Sequence, residues 1–132
     1  QLTSHAAFND GPEYSPDGKY IWFNSTRTGL MQVYRMNRDG SDITQMTFEE
    51  QNNWFGHVSP DCRKVVNLSY RKGDLLSSEH LPNMRVELWM MNYDGSEREK
   101  IMEFFGGQGS INVNSWSADS RYFAFVSYEI ER

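Results

Sequence analysis

Aspartates at regular positions are the residues of this sequence that most directly suggest chemistry. Asp17, Asp61 and Asp119 each lie two residues after a serine, in a motif that the chain repeats. Carboxylates gathered in one place could bind a divalent cation or transfer protons. Each of these aspartates, however, holds the same place in its own copy of the motif. We therefore predict that each one caps its own turn by accepting a hydrogen bond from the backbone two residues on.

Three histidines are the other candidates for metal binding or catalysis. His5, His57 and His80 show no metal-ligand spacing, and the one cysteine, Cys62, has no second thiol for a disulfide. Segment 37–42 resembles a calcium loop, but its glycine falls too early and the twelfth position is not a glutamate; we predict a turn there. No serine lies in a Gly-x-Ser-x-Gly elbow, and no phosphate-binding glycine loop occurs. The sequence predicts no catalytic residue, no metal and no cofactor.

Apolar runs follow each copy of the motif and predict the strands that position these residues. The three copies with their runs are 14–25, 58–69 and 116–127. In the first copy, Ile21 and Phe23 fall on one face of the predicted strand, and Tyr20 and Trp22 fall on the other. Because a strand that is apolar on both faces must be covered on both sides, we expect stacked sheets.

Asp-Gly turns between the apolar runs indicate hairpins, and the repeat length is typical of propeller blades. We predict an all-β fold, a partial β-propeller of four-stranded antiparallel blades. It should hold about two complete blades plus parts of two others. The first three residues match the end of a preceding repeat, so we expect the chain to be part of something longer. The predicted units are 1–8 (the end of a preceding blade), 9–47 (a blade), 48–102 (a blade with a loop insertion at 72–83) and 103–132 (an incomplete blade with strands at 111–116 and 122–128).

Polar residues of the first strand of each blade are the natural site candidates, since that strand lines the central channel of a propeller. Aligned by the repeat, Glu13, His57 and Ser115 share one position. The alternative is that such polar groups only bond backbone and water around a wet channel. His57 is the strongest single candidate for a ligand contact, and the insertion at 72–83 is either a binding loop or decoration. The predicted channel-lining, ligand-binding residues are Glu13, Trp54, His57, His80, Asn112 and Asn114.

The charge balance narrows the kinds of partner. The formal net charge is −5, and charged residues make up 23% of the chain. This composition is that of a globular protein without the basic footprint that nucleic-acid binding requires. No apolar run approaches the length of a membrane span, so we expect neither nucleic-acid binding nor membrane insertion.

The repeat resembles that of the TolB-like β-propeller family, a WD40-like class of repeat. The resemblance rests on Ser15-Pro-Asp-Gly-Lys19, on Ser-x-Arg-x-Gly at 25–29, on the Asn-x-Asp-Gly turns and on Gln45-Met-Thr47. More narrowly, Asn52-Asn-Trp-Phe-Gly-His-Val-Ser-Pro-Asp61 and the stretch from Phe104 to Trp116 are similar to the carboxy-terminal half of a bacterial TolB-family protein. Cys62 and Ser120 stand where the repeat usually has a turn glycine.

The resemblance implies a non-enzymatic protein-interaction scaffold of the bacterial cell envelope, located in the periplasm or otherwise outside the cytoplasm. Two alternatives remain open. One is an oligosaccharide-binding or lyase-type propeller with His57 and His80 near the channel mouth. The other is the propeller part of a serine peptidase. Because an incomplete propeller leaves apolar faces and strand edges uncovered, we also expect the chain to self-associate as a homodimer.

Overall fold

Two four-stranded antiparallel sheets form the fold, in a computed structural model that describes residues 1–131. Each sheet is a meander in which strands that are consecutive in the sequence are neighbours. The first sheet contains β1 (Asn9–Tyr14), β2 (Tyr20–Ser25), β3 (Gln32–Asn37) and β4 (Thr44–Gln45). The second contains β5 (Gln51–Val58), β6 (Lys64–Arg71), β7 (Met84–Asn92) and β8 (Glu99–Gly106). These sheets are the two complete blades that the sequence predicts, and the all-β fold class is confirmed.

The repeated motif forms the corner between the first and second strand of each unit. In the second blade, Ser59 Oγ donates to Asp61 Oδ1 at 2.7 Å, and Asp61 Oδ1 accepts from the backbone N–H of Arg63 at 3.1 Å. The same bonds recur around Asp17 and Asp119. The prediction that each aspartate caps its own turn is therefore confirmed.

The corner also requires a left-handed backbone one residue after the aspartate. Gly18 has φ 69°, and Cys62 and Ser120 adopt φ 55° and 61° at the equivalent position. Glycine adopts this conformation without steric cost, whereas a residue with a Cβ is strained in it. The second and third corners thus keep the geometry of the first despite their substitutions.

Alternating side chains of the strands pack on opposite faces of each sheet. Ile21 and Phe23 lie on the outer face of the first sheet with Tyr34 and Met36, whereas Trp22 faces the second sheet. The predicted division of faces in β2 is confirmed. The cluster between the sheets comprises Trp22, Val33, Met46, Val58, Val65 and Met91, and a third cluster around Trp54, Val66, Leu68 and Leu88 reaches Ile111 and the residues that follow it.

Gly56 permits the close approach of β5 to the first sheet. A Cβ added at this glycine would lie 2.7 Å from Val33 Cγ1 and 3.6 Å from the Trp22 ring. Real Cβ atoms do not approach carbon this closely, so any side chain here would push the sheets apart. This contact fixes β5, and with it His57, against the first blade.

The third unit differs most from its predicted form. The strands expected at 111–116 and 122–128 do not form, and residues 107–131 contribute only the isolated bridge between Trp116 and Phe123. No described residue supplies a third strand on which the 122–128 segment could pair, so only scattered backbone bonds remain. Strand β8 also runs to Gly106, past the boundary predicted at residue 102. None of the described residues forms a helix, and hence none forms a helix able to cross a membrane.

Candidate functional site

The first strands of the two blades bring Glu13 and His57 together. Strand β1 contains Glu13, strand β5 contains His57, and each strand has a β-bulge just before that residue. Bulges bend a strand and re-aim its side chains. The Glu13 carboxylate Oε2 lies 2.8 Å from His57 Nδ1. Two residues aligned only by the repeat are thus direct partners.

The third unit completes this site. The backbone carbonyl of Ile111 lies 2.7 Å from His57 Nε2. Asn114 Nδ2 donates to Glu13 Oε1 at 2.8 Å and to the Val58 carbonyl at 3.0 Å. We call Glu13, His57, Ile111 and Asn114 the inter-unit cluster, because its members come from all three units. Three of the six predicted site residues, Glu13, His57 and Asn114, are therefore joined by hydrogen bonds.

The two ionisable side chains of the inter-unit cluster, His57 and Glu13, differ in how far they are buried. The His57 side chain is 4% exposed and the Glu13 side chain is 32% exposed. Burial by itself would raise the pKa of the Glu13 carboxyl, but the hydrogen bond and charge of His57, with the hydrogen bond from Asn114, hold that pKa below its usual value. The carboxylate is thus the favoured form of Glu13 here.

Trp54 and His80 form a second, separate cluster. The insertion at 72–83 folds so that the His80 ring meets the Trp54 ring edge-on at 4.7 Å and the Phe55 ring at 5.4 Å. The Phe8 ring also meets the Trp54 ring edge-on, with 6.4 Å between the ring centroids. Trp54 is fully buried, and neither its indole N–H nor His80 Nδ1 has a partner among residues 1–131. The expectation that His57 and His80 share one site has no contact to support it.

The remaining predicted residue, Asn112, joins neither cluster. It is exposed and lines a shallow cleft of about 140 Å³ together with Ser115 and Phe125. Ser115, at the position equivalent to Glu13 and His57, donates to the Ala124 carbonyl. Residues of the third unit therefore contribute to the inter-unit cluster through Ile111 and Asn114 instead.

A buried polar network between the two blades was not predicted from the sequence. Arg98, whose side chain is 10% exposed, donates to Glu49, Asn53 and Asn67. Asn53 in turn donates to Gln32 Oε1 at 2.9 Å. Burial lowers the pKa of the Arg98 guanidinium, while Glu49 opposes that effect. The available clue was the pair Asn52-Asn53 next to the aromatic pair Trp54-Phe55 in β5, but nothing local pointed to Arg98.

Metal-ligating groups do not converge in the part of the chain that the structure describes. No group of three or more histidine, cysteine, aspartate or glutamate side chains is placed to hold an ion there. The segment at 37–42 forms a turn in which Gly40 donates to the Asn37 carbonyl at 2.9 Å and Asp39 accepts from Ser41. The turn predicted for this segment is confirmed.

Comparison with known proteins agrees with the fold and identifies the class. A family model described as the TolB beta propeller domain matches residues 1–80. The chain belongs to the TolB β-propeller family, as its repeat motifs predicted.

The chain is similar to part of several longer proteins. The uncharacterized protein Atu1656 of Agrobacterium fabrum is 43% identical over 128 residues, which are 97% of this chain and 43% of that protein. A solved structure from Agrobacterium tumefaciens, provisionally assigned as TolB, has a TM-score of 0.91 at 42% identity and covers 98% of this chain and 46% of that one. TolB from Acinetobacter baumannii has a TM-score of 0.44 at 21% identity, over 76% of this chain and 32% of that one. The chain spans less than half the length of these proteins.

Proposed function

We propose that this chain is part of a non-enzymatic protein-interaction scaffold of the bacterial cell envelope, working outside the cytoplasm. Membership of the TolB β-propeller family supports the general class. The observation that carries the proposal is the inter-unit cluster. Its polar side chains bond one another and the backbone, and so hold repeat units together.

A catalytic role would require at least one of these groups to be available to a substrate. A general acid or base must lie within hydrogen-bond reach of the atom that gains or loses the proton. Both ring nitrogens of His57 are engaged, at 2.8 and 2.7 Å, and the side chain is almost fully buried. The geometry therefore favours a structural role for His57 over catalysis.

The insertion supplies the surface that best suits contact with a protein. Its Leu76 and Leu81 are 69% and 43% exposed, and Leu81 directly follows His80, which packs on the Trp54 cluster. Phe8, whose ring centroid lies 6.4 Å from that of Trp54, is 47% exposed. Exposed apolar side chains are typical of protein interaction sites. We call Phe8, Leu76 and Leu81 the insertion surface.

The oligosaccharide alternative has less support from the same side chains. Stacking on a sugar needs an open aromatic face, whereas Trp54 is fully buried. A lyase needs a free base, whereas His57 is bonded at both nitrogens. The serine-peptidase alternative depends on residues outside this chain, and no geometry of the described residues favours it.

Site-specific photo-crosslinking tests the proposal. A photoreactive amino acid at Leu76 of the protein, in cells of its source bacterium, should give discrete cross-linked protein bands. The same probe at Ile101 on β8, which is also exposed, is the matched control and should not give those bands. Absence of bands at Leu76, together with calorimetric binding of an acidic oligosaccharide that is lost in His57→Gln, would instead establish the oligosaccharide alternative.

A further inference from the structure

One histidine is the meeting point of all three repeat units. His57 belongs to the second blade, Glu13 to the first blade, and Ile111 to the third unit. The contacts span 44 and 54 residues of sequence. Six other hydrogen bonds join the third unit to the blades in the described residues. Asn114 donates to Glu13 and to the Val58 carbonyl, Trp116 Nε1 donates to the His57 carbonyl, and Ser120 Oγ accepts from the Asp61 N–H. The Gln108 and Tyr128 N–H groups donate to the Leu81 and Phe105 carbonyls.

The number of protons at His57 follows from its two partners. Nδ1 faces a carboxylate oxygen of Glu13, and Nε2 faces the carbonyl oxygen of Ile111. Both partners are acceptors, while a neutral imidazole carries only one N–H and the imidazolium carries two. Only the imidazolium donates both bonds to the carboxylate and the carbonyl. With neutral imidazole and ionised Glu13, one ring lone pair would face an oxygen lone pair at hydrogen-bond distance.

Moving the proton to Glu13 does not change this count. A protonated Glu13 could donate to Nδ1 while Nε2–H donates to Ile111, but the pair would then still hold the same total number of protons. Asn114 Nδ2 donates to the other oxygen of Glu13, which favours the carboxylate. The closed cluster therefore carries one more proton than a neutral histidine beside a carboxylate.

Burial makes the loss of that proton consequential. The His57 side chain is 4% exposed, so water has little access to replace a lost bond. A buried acceptor left without a donor is costly. The hydrogen bonds and salt bridges of the described residues give the ring a single charged neighbour, Glu13 on β1. The third unit offers it only the Ile111 carbonyl, and its amide Asn114 bonds to Glu13 and to Val58 of β5.

We propose that the inter-unit cluster is a proton-dependent clasp: protonated His57 holds residues 107–131 against the two blades, and loss of the proton releases them. Because the closed form binds the additional proton, lowering the pH favours closure and raising the pH favours release. This inference concerns a conformational response of the fold and does not depend on which partner the scaffold binds.

Nuclear magnetic resonance of the full chain measures both halves of the proposal. Labelled ring nitrogens report whether His57 carries one N–H or two, and amide exchange reports whether the third unit is closed. We expect two ring N–H groups at about pH 5. Between about pH 5 and about pH 8, loss of the second N–H should accompany at least a roughly tenfold loss of protection at the Gln108 and Tyr128 amides, after correction for intrinsic exchange. These amides bond to the Leu81 and Phe105 carbonyls of the second blade.

Three variants make the experiment decisive. His57→Gln should abolish the pH dependence of protection in the third unit, and Glu13→Gln should move release to lower pH because the carboxylate no longer stabilises the imidazolium. His5→Gln, at an exposed position near the N-terminus, is the control and should match the unsubstituted chain. If His57 carries one ring N–H while Gln108 and Tyr128 stay protected, the proposal is wrong. Should His57→Gln fail to fold, the ring-nitrogen result and Glu13→Gln still decide it.

Discussion

Glu13 shows how single residues of the cluster acquire their role. Its carboxylate is two-thirds buried, which alone would disfavour the charge, yet donors from two other units face its two oxygens. His57 bonds one oxygen and Asn114 bonds the other. The side chain is thus held in one orientation by donors from the second blade and from the third unit. Its charge should consequently contribute to the stability of the assembled fold.

Replacing Glu13 with Gln should lower the free energy of unfolding at neutral pH by about 1–3 kcal/mol. The new amide must present an NH₂ group to a donor on either His57 or Asn114. Because the pKa of Glu13 is lowered in the folded chain, its contribution is present above the ordinary carboxyl pKa of 4.5 and is lost as the pH falls through the folded value. Urea unfolding at a series of pH values should show the two chains converging in acid. A constant difference down to about pH 3 would contradict this account of Glu13.

The corner turns share one motif, but the motif has different surroundings in each unit. Ser59 is buried, and its Oγ accepts from the Lys64 N–H at 3.0 Å while donating to Asp61. Ser117 makes the same bonds with Tyr122 and Asp119 but is only partly buried. The surroundings, and not the motif, should therefore decide how much each serine contributes.

Ser59→Ala should cost about 1–2 kcal/mol of unfolding free energy, because it leaves a backbone N–H without its buried acceptor. Ser117→Ala is the matched control in the third unit, where water can replace the hydroxyl, and should cost less. Chemical denaturation of both variants measures the difference. Equal losses would mean that the motif contributes independently of burial.

Arg98 connects separate elements of the fold in the contact between the blades. It lies just before β8 and holds together residues from the β4–β5 connection, β5 and β6. Arg98→Met should destabilise the chain by about 3–5 kcal/mol, since it leaves a largely buried carboxylate and two amides without their donor. Arg85→Met removes an exposed partner of Glu103 and should cost at most about 1 kcal/mol. Thermal unfolding that ranks the two variants equally would contradict the structural role of Arg98.

Local pattern predicted the elements well where each strand has its neighbours. The alternation in 20–25 predicted the faces of β2, and the repeated Ser-x-Asp corner predicted the turns, because both depend on residues close in sequence. The prediction of strands at 111–116 and 122–128 was wrong because a strand also needs neighbouring strands to pair with, and local pattern does not supply them. The Arg98 network was missed for the same reason: its members come from separate strands and loops.

The candidate site was likewise predicted in part: contacts that follow from the repeat were predicted, and contacts that depend on the path of the chain were not. The repeat aligned Glu13 with His57, and that alignment led to two residues in direct contact. Asn114 was also predicted as a site residue and bonds to Glu13, whereas the aligned Ser115 does not take part and the Ile111 carbonyl was not predicted. The difference arises from the path of the irregular third unit, which sequence alignment does not encode. His80 was grouped with His57 although the fold of the insertion seats it on Trp54.

At the scale of the whole molecule, apolar side chains remain exposed on the third unit and beside the first sheet. The third unit exposes Val113, Tyr122, Val126 and Ile130. Beside the first sheet, Leu2 lines a cleft of about 300 Å³ and is 46% exposed, whereas Ile21 and Phe23 in the same cleft are buried. Exposed apolar patches and open sheet edges favour association.

We therefore expect the 132-residue chain to form a symmetric homodimer at micromolar concentration, with these faces buried. Light scattering coupled to size exclusion should give twice the monomer mass. Val126→Lys, on the exposed side of the third unit, should shift the equilibrium to monomer, whereas Arg38→Glu on the β3–β4 turn should not. A clean monomer for the unsubstituted chain would contradict the expectation.

We propose above all that Glu13 and His57 hold the repeat units together through their direct contact. A double-mutant cycle of unfolding free energies with Glu13→Gln, His57→Gln and the combined variant at about pH 6 measures their coupling directly. A clasp that joins the units predicts that the two substitutions are strongly non-additive, with a coupling energy of about 1–3 kcal/mol. Additive losses, with coupling below about 0.5 kcal/mol, would contradict the claim.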